Sequence, residues 1–412
     1  MQLQVISRET IKPSSPPQSH LQSYDLSLLD QFTPRMYIPF VLFYRSYVPI
    51  GEISEKSRWL KNSLSTTLAQ YYPFAGRLKA SASVDCNDNG VEFLEARISC
   101  RLSELLENPD HEALDTVFPA NSVWGKVCKE SSLMVIQLNY FECGGIAIAV
   151  GISHKVADAC TFSNFLTYWA AVASGSAKKV PPHFIPSPKN DSVLVPEMEF
   201  QRRNWVTRRF MFLNSEIAQI KAASAENPTR VEAVTAILYK CAVASARACL
   251  GSFRPSLLIQ PVNMRPNMEP PLPETSVGNI YSHVTVQTKN EGETDLNRLI
   301  GEIKRAKARL KGVKNLEGNE WISVIQECLS NNYDGYLISS FCRYPFYQVD
   351  FGWGKPCRVS LADAPTKNDF FLTDTATGDG IEALVTLEEQ QMIMFENDQE
   401  IQTHAFLYSG AL

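Results

Sequence analysis

The chain has 412 residues, which is too long for one ordinary domain and suits two. Its 44% hydrophobic and 20% charged content is typical of globular proteins, and its net charge of −5 argues against nucleic acid or an anionic membrane as the main partner. The ten cysteines form no C-x-x-C pair and no zinc-like spacing, so we expect no metal site and free thiols in the reducing cytoplasm. No run reaches the ~18 apolar residues of a membrane-spanning helix, and the first residues lack the apolar core of a signal peptide.

The first part of the chain predicts a mixture of strands and helices. Residues 3–9 alternate like a strand, and residues 36–44 form an apolar run that is typical of a buried strand. Leucines recur every four residues in the stretch 54–72, which predicts an amphipathic helix. Other stretches with strand-like composition lie at 84–89, 91–98, 133–140 and 145–150, and a helix-like stretch lies at 161–171.

A proline-rich stretch divides the chain. Residues 174–200 carry five prolines with little periodicity, which indicates a linker or crossover. Beyond it the sequence predicts a strand, a long apolar helix and an amphipathic helix, at 205–213, 231–250 and 296–310. Thr229 or Asn227 could cap the apolar helix. No internal repeat is evident, but both halves have the composition of a mixed sheet with helices.

His154 stands where a buried strand is expected to turn into a helix. A neutral imidazole at such a corner can take a proton from a hydroxyl at cell pH, so His154 is a candidate general base. The alternative is a core histidine whose ring bonds a backbone carbonyl. Asp158, four residues on, could orient the ring or hold a contact of the fold. His111 and Asp115 repeat this spacing in a polar, acidic context, where the start of a solvated helix is the better interpretation.

A second motif reads Asp350–Phe–Gly–Trp–Gly354. Glycines on both sides of Trp353 let the backbone approach a neighbour closely and fix the direction of the indole N–H. A pure packing role for the tryptophan is the alternative. The glycine spacing, and the proline that follows Lys355, exclude a phosphate-binding loop.

Together the two motifs resemble those of the plant acyl-CoA-dependent BAHD acyltransferases, and the resemblance covers essentially the whole chain. Further family-like blocks agree in order and spacing; they begin at Leu26, Tyr72, Phe141, Val262, Pro270 and Gly378. The resemblance implies a mixed α/β fold of two similar chloramphenicol-acetyltransferase-like domains, each a mixed sheet flanked by helices. The expected divisions are 1–174, a crossover at 175–205, and 206–412, with the active site in a channel between the domains. Within the family the chain is most similar to the alkaloid-acetylating branch.

The resemblance also implies roles for individual residues. His154 would act as general base, and Trp353 would contact the acyl carbonyl or oxyanion. Asp158 would pair with Arg265, and the other structural residues of the second motif would be Asp350, Gly352 and Gly354. Positions where relatives bind coenzyme A correspond to Thr229 and Arg230, and acceptor-lining positions correspond to Phe32, Tyr37 and Phe40. That last stretch holds no carboxylate for an amine, so an uncharged polycyclic alcohol and an alkaloid cation both remain as acceptors.

The expected function is therefore transfer of an acyl group, with a lean to acetyl, from acyl-CoA to a hydroxyl of a plant alkaloid or terpenoid alcohol. Acyl-CoA would be a co-substrate, with no bound cofactor, and the enzyme would be a monomer. The alternatives are another acyl-CoA, an amine acceptor, or a catalytically silent binding protein. A relative of carrier-protein condensation domains is disfavoured, because Ser153 and Ala159 flank the first motif where those domains typically have His and Gly.

Overall fold

We describe the fold from a computed structural model of the chain. The structure describes residues 1–17, 19–45, 52–79, 82–107, 111–185, 205–316, 323–324, 326–327, 330 and 332–408. Most of the crossover predicted at 175–205 lies outside these ranges. The predicted mixture of α-helices and mixed β-sheets is confirmed.

The elements alternate along the chain. Sixteen strands are described, β1 to β16, at Leu3–Ile11, Ser23–Asp25, Tyr37–Tyr44, Arg77–Lys79, Ser83–Asp85, Val91–Ile98, Met134–Phe141, Ile146–Ser153, Trp205–Leu213, Ser256–Asn263, Tyr281–Thr288, Asp334–Ser340, Arg358–Leu361, Asp369–Asp374, Gly380–Glu388 and Phe406–Leu407. The α-helices within the described ranges are α1 to α10, at Leu28–Phe32, Ile53–Gln70, Leu102–Glu107, His111–Thr116, Ala159–Ala173, Asn214–Ala222, Arg230–Leu250, Leu296–Ala308, Glu389–Glu396 and Gln399–His404.

The first sheet has the order β1-β6-β7-β8-β3-β13 and contains both parallel and antiparallel neighbours. Its central strands β3 and β8 are buried along their whole length. The reason is that both faces are covered: Phe40 and Leu42 face one core cluster, whereas Val41 and Phe43 face another on the opposite side. These strands are therefore continuous apolar runs without alternation, which is how the sequence predicts them.

The second sheet has the order β11-β10-β12-β14-β15-β9-β16 and is also mixed. One of its faces packs against the long helix α7, which begins at a capping box formed by Thr229 and Glu232. Of the two candidate caps, Thr229 and Asn227, the structure uses Thr229. Gly251 ends the helix in the left-handed conformation at φ +72°, which suits a residue without a side chain.

Strand β13 crosses from one half of the chain to the other. It lies within the predicted domain 206–412, but it pairs with β3 in the first sheet, with Arg358 opposite Phe43. The two sheets therefore do not divide the chain cleanly at residue 206, because one strand of the second half belongs to the first sheet. The division of the chain near residues 174 and 206 stays a prediction.

Helix α7 is long and apolar enough to cross a membrane by length and composition alone. By length and composition, the expectation that no segment could span a membrane is therefore wrong. In the structure 61% of the most apolar stretch of α7 is buried inside the protein, where it belongs to the core beside the second sheet. Helices at the centre of large cores commonly meet the same test.

Asp30 ties α1 to a segment almost 250 residues away. Its carboxylate accepts hydrogen bonds from the backbone N and the hydroxyl of Ser27 at 2.9 and 2.8 Å, and from the backbone N and Nδ2 of Asn279 at 2.7 and 2.8 Å. The side chain is 1% exposed. The same residues therefore cap α1 and hold the chain that enters β11.

Replacing Asp30 should lower stability. Asp30→Ala leaves buried N–H groups of Asn279 without acceptors, so we expect a loss of about 3 kcal/mol, measured as a decrease in Tm. Glu142→Ala, at an exposed turn, is the control and should change Tm little. Equal melting of both variants would contradict a structural role for this carboxylate.

Candidate active site

His154 follows directly on the end of β8. Its backbone N donates to the carbonyl of Met36 at 2.8 Å, and its carbonyl accepts from Nδ2 of Asn279 at 2.7 Å. The chain then turns and enters α5 at Ala159. The predicted strand-to-helix corner is confirmed. Met36 and Asn279 hold His154 in place through its backbone N–H and carbonyl.

The imidazole of His154 borders a cavity of about 350 Å³, and its ring centre lies 6.3 Å from that of Tyr281. Burial lowers the pKa of His154, although the Asp158 charge and nearby hydrogen bonds act in the opposite direction. At neutral pH the ring is therefore uncharged. An uncharged imidazole at a cavity wall can accept a proton from a bound molecule.

Asp158 does not orient this ring. One carboxylate oxygen accepts from the backbone N of Thr161 at 2.8 Å and from Arg265 Nη2 at 3.1 Å. The other accepts from Arg265 Nη1 at 2.8 Å and from the backbone N of Ile280 at 3.0 Å. Burial favours the neutral acid, but the Arg265 charge outweighs it, so the pKa of Asp158 is lowered. Both oxygens are thus occupied by contacts of the fold, and the scaffold role of Asp158 stays a prediction.

Arg265 is completely buried. Besides Asp158, its guanidinium donates to Thr161 Oγ1 at 3.0 Å, to the Ser276 carbonyl at 2.8 Å and to the Gly278 carbonyl at 3.1 Å. Burial disfavours its charge, and the carboxylate of Asp158 more than compensates, so the pKa of Arg265 is raised. The predicted ion pair is present, and each of its charges is surrounded by hydrogen-bond partners.

The cavity lies between the two sheets. One wall is the face of the second sheet that does not pack on α7, and alternate residues of four strands contribute to it: Tyr281 and His283, Ile259 and Pro261, Leu337 and Ser339, Asp369 and Phe371. Pro34, Met36, Ile38, Trp124 and His154 complete it from the first half of the chain. The ring of Trp124 stacks on Phe371 at 5.6 Å. Its lining is mostly apolar, which is typical of small-molecule sites.

The residues predicted to line the acceptor pocket do not border this cavity. Phe40 is fully buried against Phe162 and Phe346, and the hydroxyl of Tyr37 donates to the Ser132 carbonyl at 2.5 Å. Phe32, in α1, is also a core residue. The prediction was wrong by one or two positions, because Pro34, Met36 and Ile38 are the residues of this stretch that border the cavity.

The second motif is a structural turn, far from His154. Asp350 Oδ1 accepts the backbone N–H groups of Gly352 and Gly354 at 2.8 and 2.9 Å, and both glycines have φ above +100°. Trp353 packs beside Tyr44 and stacks on Phe351. Tyr44 and Tyr37 mark opposite ends of β3, seven residues or about 23 Å apart, and it is the Tyr37 end that lies next to Ser153. The expected contact of Trp353 with the acyl group is therefore wrong, whereas the structural role of Asp350, Gly352 and Gly354 agrees with the turn.

Thr229 and Arg230 lie at the start of α7. Thr229 forms the capping box, and Arg230 donates to the Gly380 carbonyl at 2.7 Å and lies 3.5 Å from Asp374. Neither borders the cavity. Their expected contact with coenzyme A stays a prediction, with the capping role now certain for Thr229.

The polar residues of the cavity that sequence reasoning missed include His283, Asn368 and Asp369. Burial lowers the pKa of His283 to about 4, so a second neutral imidazole faces the space. The available signal was the alternation of strands β11 and β14, but it needs the pairing of both strands to show which face is inward. Within the described ranges, no three His, Cys, Asp or Glu side chains are grouped to hold a metal ion.

The chain resembles known proteins over almost its whole length. A family model described as the Transferase family matches residues 1–402. Diaboline synthase from a Strychnos species is 44% identical over 427 residues, covering 98% of this chain and 92% of that protein. A 17,18-epoxy-17-hydroxycur-19-ene N-malonyltransferase from Strychnos nux-vomica is 41% identical, covering 98% and 91%. The crystal structure of vinorine synthase superimposes with a TM-score of 0.90 at 34% identity and covers all of both chains.

Removing Asp158 should destabilise the protein by about 4 kcal/mol, because Arg265 is then left charged and buried without a partner. Thermal unfolding of Asp158→Ala measures this loss. The double variant Asp158→Ala/Arg265→Met should recover part of it, since no charge remains buried. As a control, Glu92→Ala breaks the exposed pair with Arg8 and should cost under about 1 kcal/mol. Normal melting of Asp158→Ala together with lost turnover would instead make Asp158 a partner of His154.

Proposed function

Because the chain belongs to the Transferase family of plant acyl-CoA-dependent BAHD acyltransferases, we propose that it transfers an acetyl group from acetyl-CoA to a hydroxyl of an alkaloid or terpenoid alcohol. The family makes the protein an acyl-CoA-dependent O-acyltransferase acting on a specialised metabolite, with acyl-CoA as co-substrate. The observation that carries the finer proposal is the neutral His154 at the wall of an apolar cavity, with Asp158 fully occupied elsewhere.

In the proposed mechanism His154 acts as general base. As the acceptor oxygen attacks the thioester carbonyl, a ring nitrogen of His154 takes its proton, and a new C–O bond forms. The tetrahedral intermediate then collapses, the C–S bond breaks, and the imidazolium returns the proton to the sulfur of coenzyme A. Both substrates bind at once, so no covalent enzyme intermediate is needed. An apolar cavity that excludes water limits hydrolysis of the thioester.

The proposal places the phosphates of coenzyme A at the start of α7. Arg230 lies there, and Arg343 and Lys307 are near: the backbone N of Arg343 donates to Asp374 at 2.6 Å, and Lys307 Nζ donates to Glu232 at 3.3 Å. Arg343 comes two residues after Phe341, a residue of the cavity. A basic group at a helix N-terminus suits a polyanion.

Acetyl transfer to oxygen has one specific alternative. One relative is named as an N-malonyltransferase, so transfer of malonyl, or transfer to nitrogen, is a second candidate. Assays with acetyl-, malonyl- and benzoyl-CoA against alcohol and amine acceptors, followed by mass spectrometry of the product, distinguish these. A silent binding protein would give no product with any pair.

Location and assembly belong to the proposal as well. We propose a cytoplasmic monomer. The cytoplasmic location is supported by the cysteines, because the following are all free thiols, which suits a reducing compartment: Cys86, Cys100, Cys128, Cys143, Cys160, Cys241, Cys249, Cys342 and Cys357.

Replacing the base should abolish most of the turnover. We expect His154→Ala to lose at least ~10²-fold in kcat with an unchanged Tm, because a general base contributes that much. His283→Ala is the matched control, since His283 also borders the cavity, and it should lose far less.

The pH profile separates the same two residues. The pKa of His154 is lowered from its ordinary value, so the acid limb of kcat/KM should lie below about pH 6.5. An acid limb near pH 4, or a larger loss in His283→Ala than in His154→Ala, would transfer the role of base to His283.

Arg230→Gln should raise KM for acyl-CoA about 10-fold and leave KM for the acceptor within about two-fold, because only the donor carries phosphates. Initial-rate kinetics with each substrate varied in turn measure both constants. Arg208→Gln is the control: Arg208, on strand β9, pairs with Glu396 at 3.2 Å and does not border the cavity. A rise in the acceptor KM alone would reverse the assignment of the two ends.

A further inference from the structure

Two buried hydrogen-bond acceptors lie side by side in the cavity wall. Asn368 is 7% exposed and Asp369 is 5% exposed, and both border the cavity. Among the residues that the structure describes, neither Asn368 Oδ1 nor Asp369 Oδ1 has a hydrogen-bond partner. Buried polar atoms are almost always paired in proteins, so two adjacent unpaired acceptors indicate that a donor is supplied from the cavity.

The strands hold these side chains in place. Asp369 opens β14, where it stands between Leu337 of β12 and Thr386 of β15. Asn368 is left-handed at φ +60°, with its backbone N donating to the Thr386 carbonyl at 2.8 Å and its carbonyl accepting from Leu337 at 2.9 Å. The backbone of both residues is thus satisfied by the sheet, and only their side chains are left for a ligand.

Within the described ranges, no cation stands beside Asp369. Burial alone raises its pKa well above the ordinary value, and no neighbouring charge contributes. The other carboxylate of the cavity, Asp158, is paired with Arg265, and the nearby ammonium of Lys367 donates to Glu388 at 2.6 Å. A carboxyl in this position destabilises the empty protein and gains most from a ligand that is both positively charged and a donor.

We propose that Asp369 and Asn368 bind the protonated amine of the acceptor whose hydroxyl reacts at His154. The inference rests on the proposed function and names its substrate class: a rigid polycyclic alcohol that carries a basic tertiary nitrogen. The ammonium N–H donates to Asp369, which is then ionised, and Asn368 Oδ1 lies next to it as a second acceptor. The stretch 32–40 offers no carboxylate for a cation, and β14 provides it instead.

The length of the cavity sets the shape of this substrate. Asp369 shares a row across the sheet with Leu337 and Ile259, and Tyr281 stands opposite Asn263, four residues or about 13 Å further along β10. The ring of Tyr281 in turn lies 6.3 Å from His154. Hydroxyl and amine must therefore stand at opposite ends of one skeleton, whose apolar body contacts Trp124 and Phe371.

A matched pair of acceptors tests the inference. One is a polycyclic alcohol with a tertiary amine, and the other is the same alcohol with that amine converted to a lactam, which removes the charge and keeps the shape. With the wild type, Asp369→Asn and the control Asp334→Asn, KM and kcat are measured for each acceptor. We expect Asp369→Asn to raise KM of the amine at least ~30-fold and KM of the lactam less than about three-fold.

Two results would overturn the inference. An equal change for both acceptors would make Asp369 a packing residue, and no change for either would mean that its protonated carboxyl is replaceable by an amide as a neutral hydrogen-bond donor. Asn368→Ala is a second variant. It should raise KM for the amine more than KM for the lactam, and its effect on the amine should be smaller than that of Asp369→Asn. The Tm of Asp369→Asn should equal or exceed that of the wild type, because a buried carboxyl is removed.

Direct binding separates this inference from the proposed function. Isothermal titration calorimetry of the amine alcohol against the wild type and Asp369→Asn needs no turnover. Binding that depends on Asp369, without acyl transfer to any acceptor, would retain the ligand site and reject the enzyme. Acyl transfer with identical affinities in both proteins would retain the enzyme and reject the ligand site.

Discussion

The buried ion pair between Asp158 and Arg265 is the interaction on which the site depends. A charge removed from water is tolerable only when its hydrogen-bonding capacity is satisfied, and the two side chains obtain this from three separate segments. Asp158 accepts from the first turn of α5 and from Ile280, and Arg265 donates to the carbonyls of Ser276 and Gly278. The pair therefore fixes the corner after His154 and the entry into β11 at the same time. Tyr281, the next residue, faces His154 as a consequence.

This arrangement explains why the spacing of His154 and Asp158 does not produce a catalytic pair. Position in the chain brings the two residues close, but each oxygen of Asp158 already has two donors. The imidazole is held instead through its own backbone, by the carbonyl of Met36 and the amide of Asn279. A neutral ring that is positioned without a carboxylate keeps a lowered pKa, which a bound carboxylate would raise.

Sequence reasoning succeeded where the signal was local. The run 36–44 and the capping of α7 by Thr229 depend on neighbours in the chain, and the structure has both. It failed where pairing between distant strands decides the outcome. Trp353 is distant because β13 and its preceding turn join the far end of β3. Tyr37 alternates in face with Met36 and Ile38. Phe40 is on their face, but it is covered by Phe162 and Phe346. The Asp158–Arg265 pair was predicted only through the family resemblance, since 107 residues separate the partners.

The two carboxylates of the cavity show opposite solutions to burial. Asp158 is stabilised by a permanent cation, so it serves the fold whether or not a substrate is present. Among the described residues Asp369 has no such cation, and burial raises its pKa well above the ordinary value. The pairing of β14 with β12 and β15 is made by backbone groups, so the sheet itself does not require a carboxyl at this position. A carboxyl at position 369 favours only a ligand that carries a positive charge. The wall that faces His154 thus selects the acceptor by the same rule that the ion pair obeys: a buried charge is stable only beside its partner.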